Sequence, residues 1–452
     1  MASQQLQNLC WLSKEIIFSF AAFNRNPENQ VYSLFSHFRH IIFLLVLAVG
    51  CFTVNAQLQP RLAPASGNRS TIIFPKASVY DEMVENKTDI LDLIRRVIKV
   101  KDADSIKKER LGPFFSIIPA MGYTLVNGYV GVLASNVSFY TSNNKTKLST
   151  IMLNGYYSQY RQYWGTLSTY IYSEKSKLIF TGDIRMYKFP TRTFGLGGET
   201  RISDVERIDY SYFKFSQLAL KQVYPDFYAG IGYHLDHHFD IDEKGLAPAT
   251  VTDFQRYGFT SFSISSGLSA NLMYDTRKNL MNPAGGIFAY LRYRNNLKLL
   301  GSDSNWQSLL MEFRKYFPLS EENDNVLAFW SYNDITLAGN PPYLDLPSNG
   351  WDAYSSTARG YASGRFRGKT FLYLESEFRY GILQNGLLGG VFFANLQSFT
   401  DWPSNRFHSV IPGEGLGLRI KLNKHSNANL AIDYAFGKEG SRGFFFSIGE
   451  VF

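Results

Sequence analysis

The sequence predicts an all-β protein, a sixteen-stranded antiparallel transmembrane β-barrel with a short N-terminal helical segment. Three observations lead there. From Pro113 onward, apolar and polar residues alternate with the period of two that a strand imposes. Aromatic residues make up 16% of the 452-residue chain, and disordered chains are poor in them. The long apolar run, Ile41–Phe52, has 12 residues, whereas a membrane-spanning helix needs about 20. Disorder and a helical membrane protein are thereby excluded.

The N-terminus reads as an export signal, so that residues 1–56 form a signal-peptide region. His37-Phe38-Arg39-His40 supplies a basic flank, Ile41–Gly50 an apolar core, and Ala56 a small residue before Gln57. Cleavage is expected after Ala56, with Val54 and Ala56 at −3 and −1. A lipoprotein signal, Ala48-Val49-Gly50-Cys51 with lipid on Cys51, is the alternative. Residues 1–37 exceed an ordinary n-region, which points to a start codon assigned too early or to a real extension. The two cysteines, Cys10 and Cys51, both precede the expected mature start, so no disulfide or cysteine-bound metal is expected in the exported chain.

Residues 57–112 are expected to form an N-terminal helical plug or periplasmic segment. Pro60, Pro64 and Gly67 mark a flexible start, and Lys87 to Asp102 (KTDILDLIRRVIKVKD) carries apolar residues at helical spacing. The region 113–452 is then the barrel. Its strands are expected at 115–122, 129–141, 147–158, 162–173, 177–189, 207–221, 225–238 and 260–276. They continue at 286–298, 305–317, 325–337, 370–382, 385–398, 414–423, 427–437 and 443–452. Most reach the roughly 9–11 residues of a tilted spanning strand.

Alternation alone does not separate a soluble sandwich from a barrel in lipid. In Phe262–Asp275, Phe262, Ile264, Leu268 and Leu272 oppose Ser263, Ser265, Ser269 and Asn271. Likewise Leu416, Leu418 and Ile420 oppose Gly417, Arg419 and Lys421, and Ile432 opposes Asp433. Loop lengths decide between the two readings. Short turns such as Ser173–Ser176, Tyr224-Pro225 and Leu383–Gly386 share one end, and long loops at 190–206, 239–259, 338–369 and 399–413 share the other. Short periplasmic turns opposite long external loops are the outer-membrane arrangement. Phe452, at the end of the last predicted strand, is the expected C-terminal barrel signal at the periplasmic interface.

Three segments resemble the BamA/TamA superfamily of outer-membrane proteins, the bacterial surface antigen family. Asp275-Thr276-Arg277 with Asn282-Pro283-Ala284-Gly285-Gly286 is similar to its periplasmic turn between the eighth and ninth strands. Ala358-Arg359-Gly360-Tyr361 resembles the tip of its sixth loop. Leu374–Arg379 and Val391–Gln397 resemble its twelfth and thirteenth strands. The resemblance implies insertion or translocation of polypeptide or lipid at the bacterial outer membrane. The implied partners are the lipid bilayer, outer-membrane protein clients and accessory lipoproteins; no enzyme activity and no cofactor are implied. Two departures stand out. Asn395 occupies the place of the family's usual acid, and the 56 residues from 57 to 112 are too few for a complete POTRA domain. The alternative is a passive diffusion channel with a loop-plugged lumen.

Arg359 is the sharpest candidate. Folded into a lumen, its guanidinium needs a counter-charge, and alternation places Glu375 and Glu377 on the inward face of their strand. These two are the expected loop-pinning partners, with Asn395 as a hydrogen-bond acceptor. His234, His237 and His238 with Asp236, Asp240 and Asp242 read as polar residues at a strand exit, not as a metal site. Gly413–Gly417 lacks the Lys-Ser/Thr and helix of a phosphate loop. Asp183 and Glu312 read as wall charges without a catalytic partner. The net charge of +8 is spread without a basic stripe, so nucleic acid is not expected.

Overall fold

The computed structural model describes residues 87–90, 92–93, 114–124, 128–141, 149–188, 191–244, 251–319, 325–352, 356–424 and 427–452. Sixteen long strands account for most of them. The first eight are β1 (Phe114–Thr124), β2 (Gly128–Phe139), β3 (Ser149–Ser158), β4 (Tyr163–Tyr172), β5 (Leu178–Lys188), β6 (Glu206–Tyr224), β7 (Phe227–Lys244) and β8 (Ser263–Asp275). Then come β9 (Gly286–Asn296), β10 (Trp306–Pro318), β11 (Val326–Gly339), β12 (Thr370–Gly381), β13 (Leu388–Asp401), β14 (Ile411–Asn423), β15 (Ala428–Gly437) and β16 (Arg442–Ile448). Each pairs antiparallel with its neighbour in sequence, from β1–β2 through β15–β16. Two short strands, Thr191–Thr193 and Arg406–Phe407, extend the sheet beside β6 and β13.

The two faces are partitioned inside out. Leu133, Leu153, Ile231, Leu268, Leu374, Leu416 and Phe444 are exposed, while Ser265, Ser269, Asn271, Arg294, Glu377, Arg419 and Asp433 are buried. Water cannot be the solvent of that outer face, because so much contiguous apolar surface is costly there. A hydrocarbon exterior makes the same arrangement favourable, and strand pairing satisfies the backbone groups that neighbouring strands share. No helix among the described residues is long and apolar enough to cross a membrane. A six-residue α-helix, α1 (Asp253–Gly258), lies in the β7–β8 connection and is capped by Thr252, whose hydroxyl accepts from the Gln255 amide.

The N-terminal helix expected over Lys87–Asp102 is not supported. Only residues 87–90, 92 and 93 of it are described; Ile90, Asp92 and Leu93 there are helical, and the rest of the expected span lies outside the described residues. Asp89 and Asp92 each accept from the other's amide, at 2.9 and 3.3 Å. The Thr88 amide donates to Asn385 O in the β12–β13 turn at 2.9 Å. Lys424, after β14, bonds Asp89 through its amide at 3.0 Å and Asp92 through its ammonium at 2.9 Å. The signal region, Cys51 and Lys101–Arg110 lie outside the described residues.

The inside-out partition has a direct test. Leu268→Arg should cost roughly 2–4 kcal/mol if the position is at the bilayer midplane. Cysteines at Leu268 and Leu418 should resist a water-soluble thiol reagent in intact membranes; ready labelling would contradict a lipid-facing surface.

Candidate functional site

In the connection from β11 to β12, the described residues 340–352 and 356–369 fold back over the polar face of the sheet and are tied to one another. Asn349 accepts from the Phe366 amide and donates to Ala362 O, both at 2.8 Å. Asp352 accepts from the Thr357 amide and hydroxyl, both at 2.8 Å. Arg367 donates to the carbonyls of Tyr343, Leu344 and Leu346 at 3.0–3.2 Å. These bonds hold a compact loop that carries Ala358-Arg359-Gly360-Tyr361 at its tip.

Arg359 is 1% exposed and meets three carboxylates. Its guanidinium bonds Glu375 and Glu377 on β12, and Nη1 lies 2.5 Å from Asp433 Oδ2 on β15. The guanidinium carbon sits 3.5 Å from the Phe393 ring centroid on β13, so a cation–π contact covers the face that the acids leave free. Glu375 also accepts from the Tyr373 hydroxyl. The tip itself is fixed by neighbours on β14, on β15 and in the β15–β16 connection. Gly360 has φ +107°, and a Cβ there would come within 2.5 Å of Phe436 O; only glycine fits. The Tyr361 hydroxyl donates to Pro412 O at 2.5 Å and accepts from the Lys438 amide at 2.7 Å. The Ser441 hydroxyl donates to Gly360 O at 2.7 Å.

The network continues beyond Arg359. Asp433 also takes Arg419 at 2.5 Å, Arg419 takes Glu450 at 2.7 Å, and Glu450 lies 3.7 Å from Arg379. Arg379 returns to Glu377 at 2.9 Å. Positive and negative groups therefore alternate around a closed ring of six: Arg359, Asp433, Arg419, Glu450, Arg379 and Glu377. Glu375 is a fourth acid attached to Arg359. Every member is buried, which is tolerable only because each charge faces an opposite one.

The structure brings Arg359, Glu375, Glu377 and Asn395 together, with one correction. Asn395 does not accept from the guanidinium; its Nδ2 donates to the Arg359 carbonyl at 3.0 Å. The three acids already occupy the guanidinium, and the amide is left to hold the backbone. A second correction concerns Phe452. The last strand ends at Ile448, Gly449 turns with φ +92°, and Phe452 is 3% exposed against Trp330. It is folded inward and is not on a membrane-facing rim, because Arg379 and the aromatic wall hold it there. Asp433, Arg419 and Glu450 were not singled out from sequence. Arg419 and Asp433 sit at inward positions of the β14 and β15 alternation, but the meeting of Asp433 with Arg359 is long-range and carries no local signal.

The turn motif lies nearby. Asp275 and Arg277 pair at 2.9 Å, the Asn282 amide donates to Asn279 Oδ1 at 3.0 Å, and Gly286 opens β9. Pro283 O accepts from Arg379 at 3.3 Å, which joins this turn to the ring. In the His/Asp cluster on β7, His234 bonds Ser216 and Ser269 at 2.8 Å, Asp236 bonds Arg294 at 2.6 Å, and His238 lies 3.6 Å from Asp345. No group of three or more metal-ligating residues occurs among the described residues. Asp183 pairs with Arg185 and Lys214, and Glu312 with Arg314.

Arg359→Ala should leave a folded sheet but free the loop, read as chymotrypsin cleavage at Tyr361. Breaking a buried pair from one side costs about 3–5 kcal/mol. Glu377→Gln should reproduce part of the effect, since Glu375 and Asp433 remain. Asn395→Ala should do less, because one neutral hydrogen bond is worth about 0.5–1.5 kcal/mol. Unchanged cleavage in Arg359→Ala would mean that the loop is not held by this residue.

A model of the Omp85 superfamily domain matches residues 135–452. Among solved structures, the chain is similar to BamA from Haemophilus ducreyi lacking POTRA domains 1–3. That pair has 16% identity and a TM-score of 0.49 over 74% of this chain and 70% of that one. It is also similar to CdiB from Acinetobacter baumannii, with 11% identity and a TM-score of 0.47 over 74% and 59% of the two chains. No curated protein sequence matches it. The family match covers most of the chain, including every residue of the charge ring, and the chain belongs to the Omp85 superfamily, a bacterial outer-membrane protein.

Proposed function

We propose that residues 113–452 form a sixteen-stranded barrel closed between β16 and β1, and that this barrel assists insertion or translocation of polypeptide or lipid at the outer membrane. Closure is supported by the approach of β16 to β1 and by the unbroken pairing of the strands between them. The polar face then lines a lumen, and residues 340–369 lie in it.

The buried tip of that loop carries the functional reading. Three acids, a stacked phenyl ring and a glycine contact hold Arg359-Gly360 against the β12–β15 wall. A passive pore gains nothing from a loop tied across its lumen by buried ion pairs, whereas a barrel that handles polypeptide or lipid gains a fixed internal support for its wall. In this reading Arg359, Gly360 and Tyr361 are the lumen motif, and Glu375, Glu377 and Asn395 hold it. The motif Asp275, Arg277, Asn282, Pro283 and Gly286 forms the periplasmic turn. Residues 57–112 act as plug or periplasmic adaptor, a role supported by the docking of Thr88, Asp89 and Asp92 on the β12–β13 and β14–β15 connections. Accessory lipoproteins and outer-membrane protein clients are the partners this reading expects.

Crosslinking followed by pull-down from outer membranes tests the proposal. Capture of unfolded barrel clients or a lipoprotein complex is the expected result. Steady ion flux in reconstituted bilayers, with no client captured, would overturn it in favour of the diffusion channel.

A further inference from the structure

We propose that Gly449–Phe452 is a strap across the lumen, on the side of the β8–β9 turn, that keeps the charge ring closed, with Glu450 as its positioning residue. The inference rests on the lumen reading above. Gly449 permits the inward turn: its φ is +92°, and a Cβ there would meet Met281 O at 2.8 Å. The turned segment is pinned by backbone bonds, Gly449 N to Asn429 O at 2.8 Å and Glu450 N to Met281 O at 2.7 Å. It thus bridges β15 and the β8–β9 turn, which lie far apart along the sheet.

Its side chains then fill two different receptors. Glu450 accepts from Arg419 at 2.7 Å and from Asn429 at 2.6 Å, and faces Arg379 at 3.7 Å. Phe452 lies against Trp330, with ring centroids 5.2 Å apart, and Arg379 donates to Phe452 O at 2.9 Å. Val451 O receives the hydroxyl of Ser356, from the loop itself, at 3.4 Å. Simple packing of a chain segment would bury apolar side chains; it would not bury a carboxylate between two arginines. Those arginines also hold Asp433 and Glu377, the acids that hold Arg359. Without Glu450, Arg419 and Arg379 lose a shared counter-charge and are free to draw Asp433 and Glu377 away from Arg359. The strap therefore sets how firmly the loop is held.

The test places a reporter in the strap of the full chain. In a background of Cys10→Ser and Cys51→Ser, Val451→Cys should react with a water-soluble maleimide far more slowly than Leu299→Cys, whose position is 91% exposed. Adding Glu450→Gln should speed the Val451→Cys reaction about tenfold or more, as expected for losing a charge-assisted contact that opposes local opening. The same change should raise chymotrypsin cleavage at Tyr361. Glu450→Asp should restore slow labelling and slow cleavage, which a purely steric role would not require. Phe452→Ala should speed labelling with all ring charges intact. Equal labelling of Val451→Cys and Leu299→Cys would overturn the strap. So would a Glu450→Gln chain with unchanged labelling and cleavage while Arg359→Ala frees the loop. If neither Glu450→Gln nor Arg359→Ala frees the loop, the lumen-loop reading falls together with the strap.

Discussion

One guanidinium cut off from water sets the terms for the rest of the interior. Arg359 is carried inward by a loop, and a charge of that kind in a low-dielectric setting must be matched by opposite charge at contact distance. The wall answers with Glu375 and Glu377 from β12 and Asp433 from β15. Three acids around one arginine would themselves be unstable, so Arg379 and Arg419 stand behind them and Glu450 closes the circuit. Each of the six ring members has at least two opposite neighbours. Such a ring adds less net stability than its short distances imply, because all six groups have given up hydration. What it adds is position: removing any member leaves its neighbours buried and uncompensated.

The sheet makes this possible by being inverted. A soluble fold would turn Leu268, Leu374 and Leu416 inward and the charged residues outward; here the leucines are exposed and the charges are covered. With lipid outside, the period of two along each strand delivers polar side chains to the interior at every second position. The antiparallel register sets Glu375 opposite Asn395, and both reach the same loop tip, one through the guanidinium and one through the backbone carbonyl. The loop reads those positions as a template. Gly360 fits only because the backbone at Phe436 leaves no room for a side chain.

Much of the sheet was legible in the sequence because long, two-sided strands print their period directly. The strand ranges expected from alternation lie within about three residues of those in the structure for β1 through β15, except that β7 runs on to Lys244 beyond its expected end at 238. Thr191–Thr193 and Arg406–Phe407 are too short to show any period, and α1 is a six-residue helix whose sign was Thr252 three residues before Gln255. Of the site, Arg359 with Glu375 and Glu377 was readable because motif and alternation coincide. Asp433 was visible as an inward residue, but nothing local pairs it with a loop 74 positions away. Phe452 was misplaced because the run Phe444-Phe445-Phe446 was extended to residue 452 as one strand. Gly449, a turn residue three positions after that run, marks the break.

The account's central claim is that Arg359 and the wall acids act as one unit. A double-mutant cycle on Arg359→Ala and Asp433→Asn, read as the free energy of loop opening from chymotrypsin cleavage at Tyr361, measures that directly. Strong coupling of about 0.5–3 kcal/mol is the result predicted for contacting members of one network. Strictly additive effects of the two substitutions would contradict it.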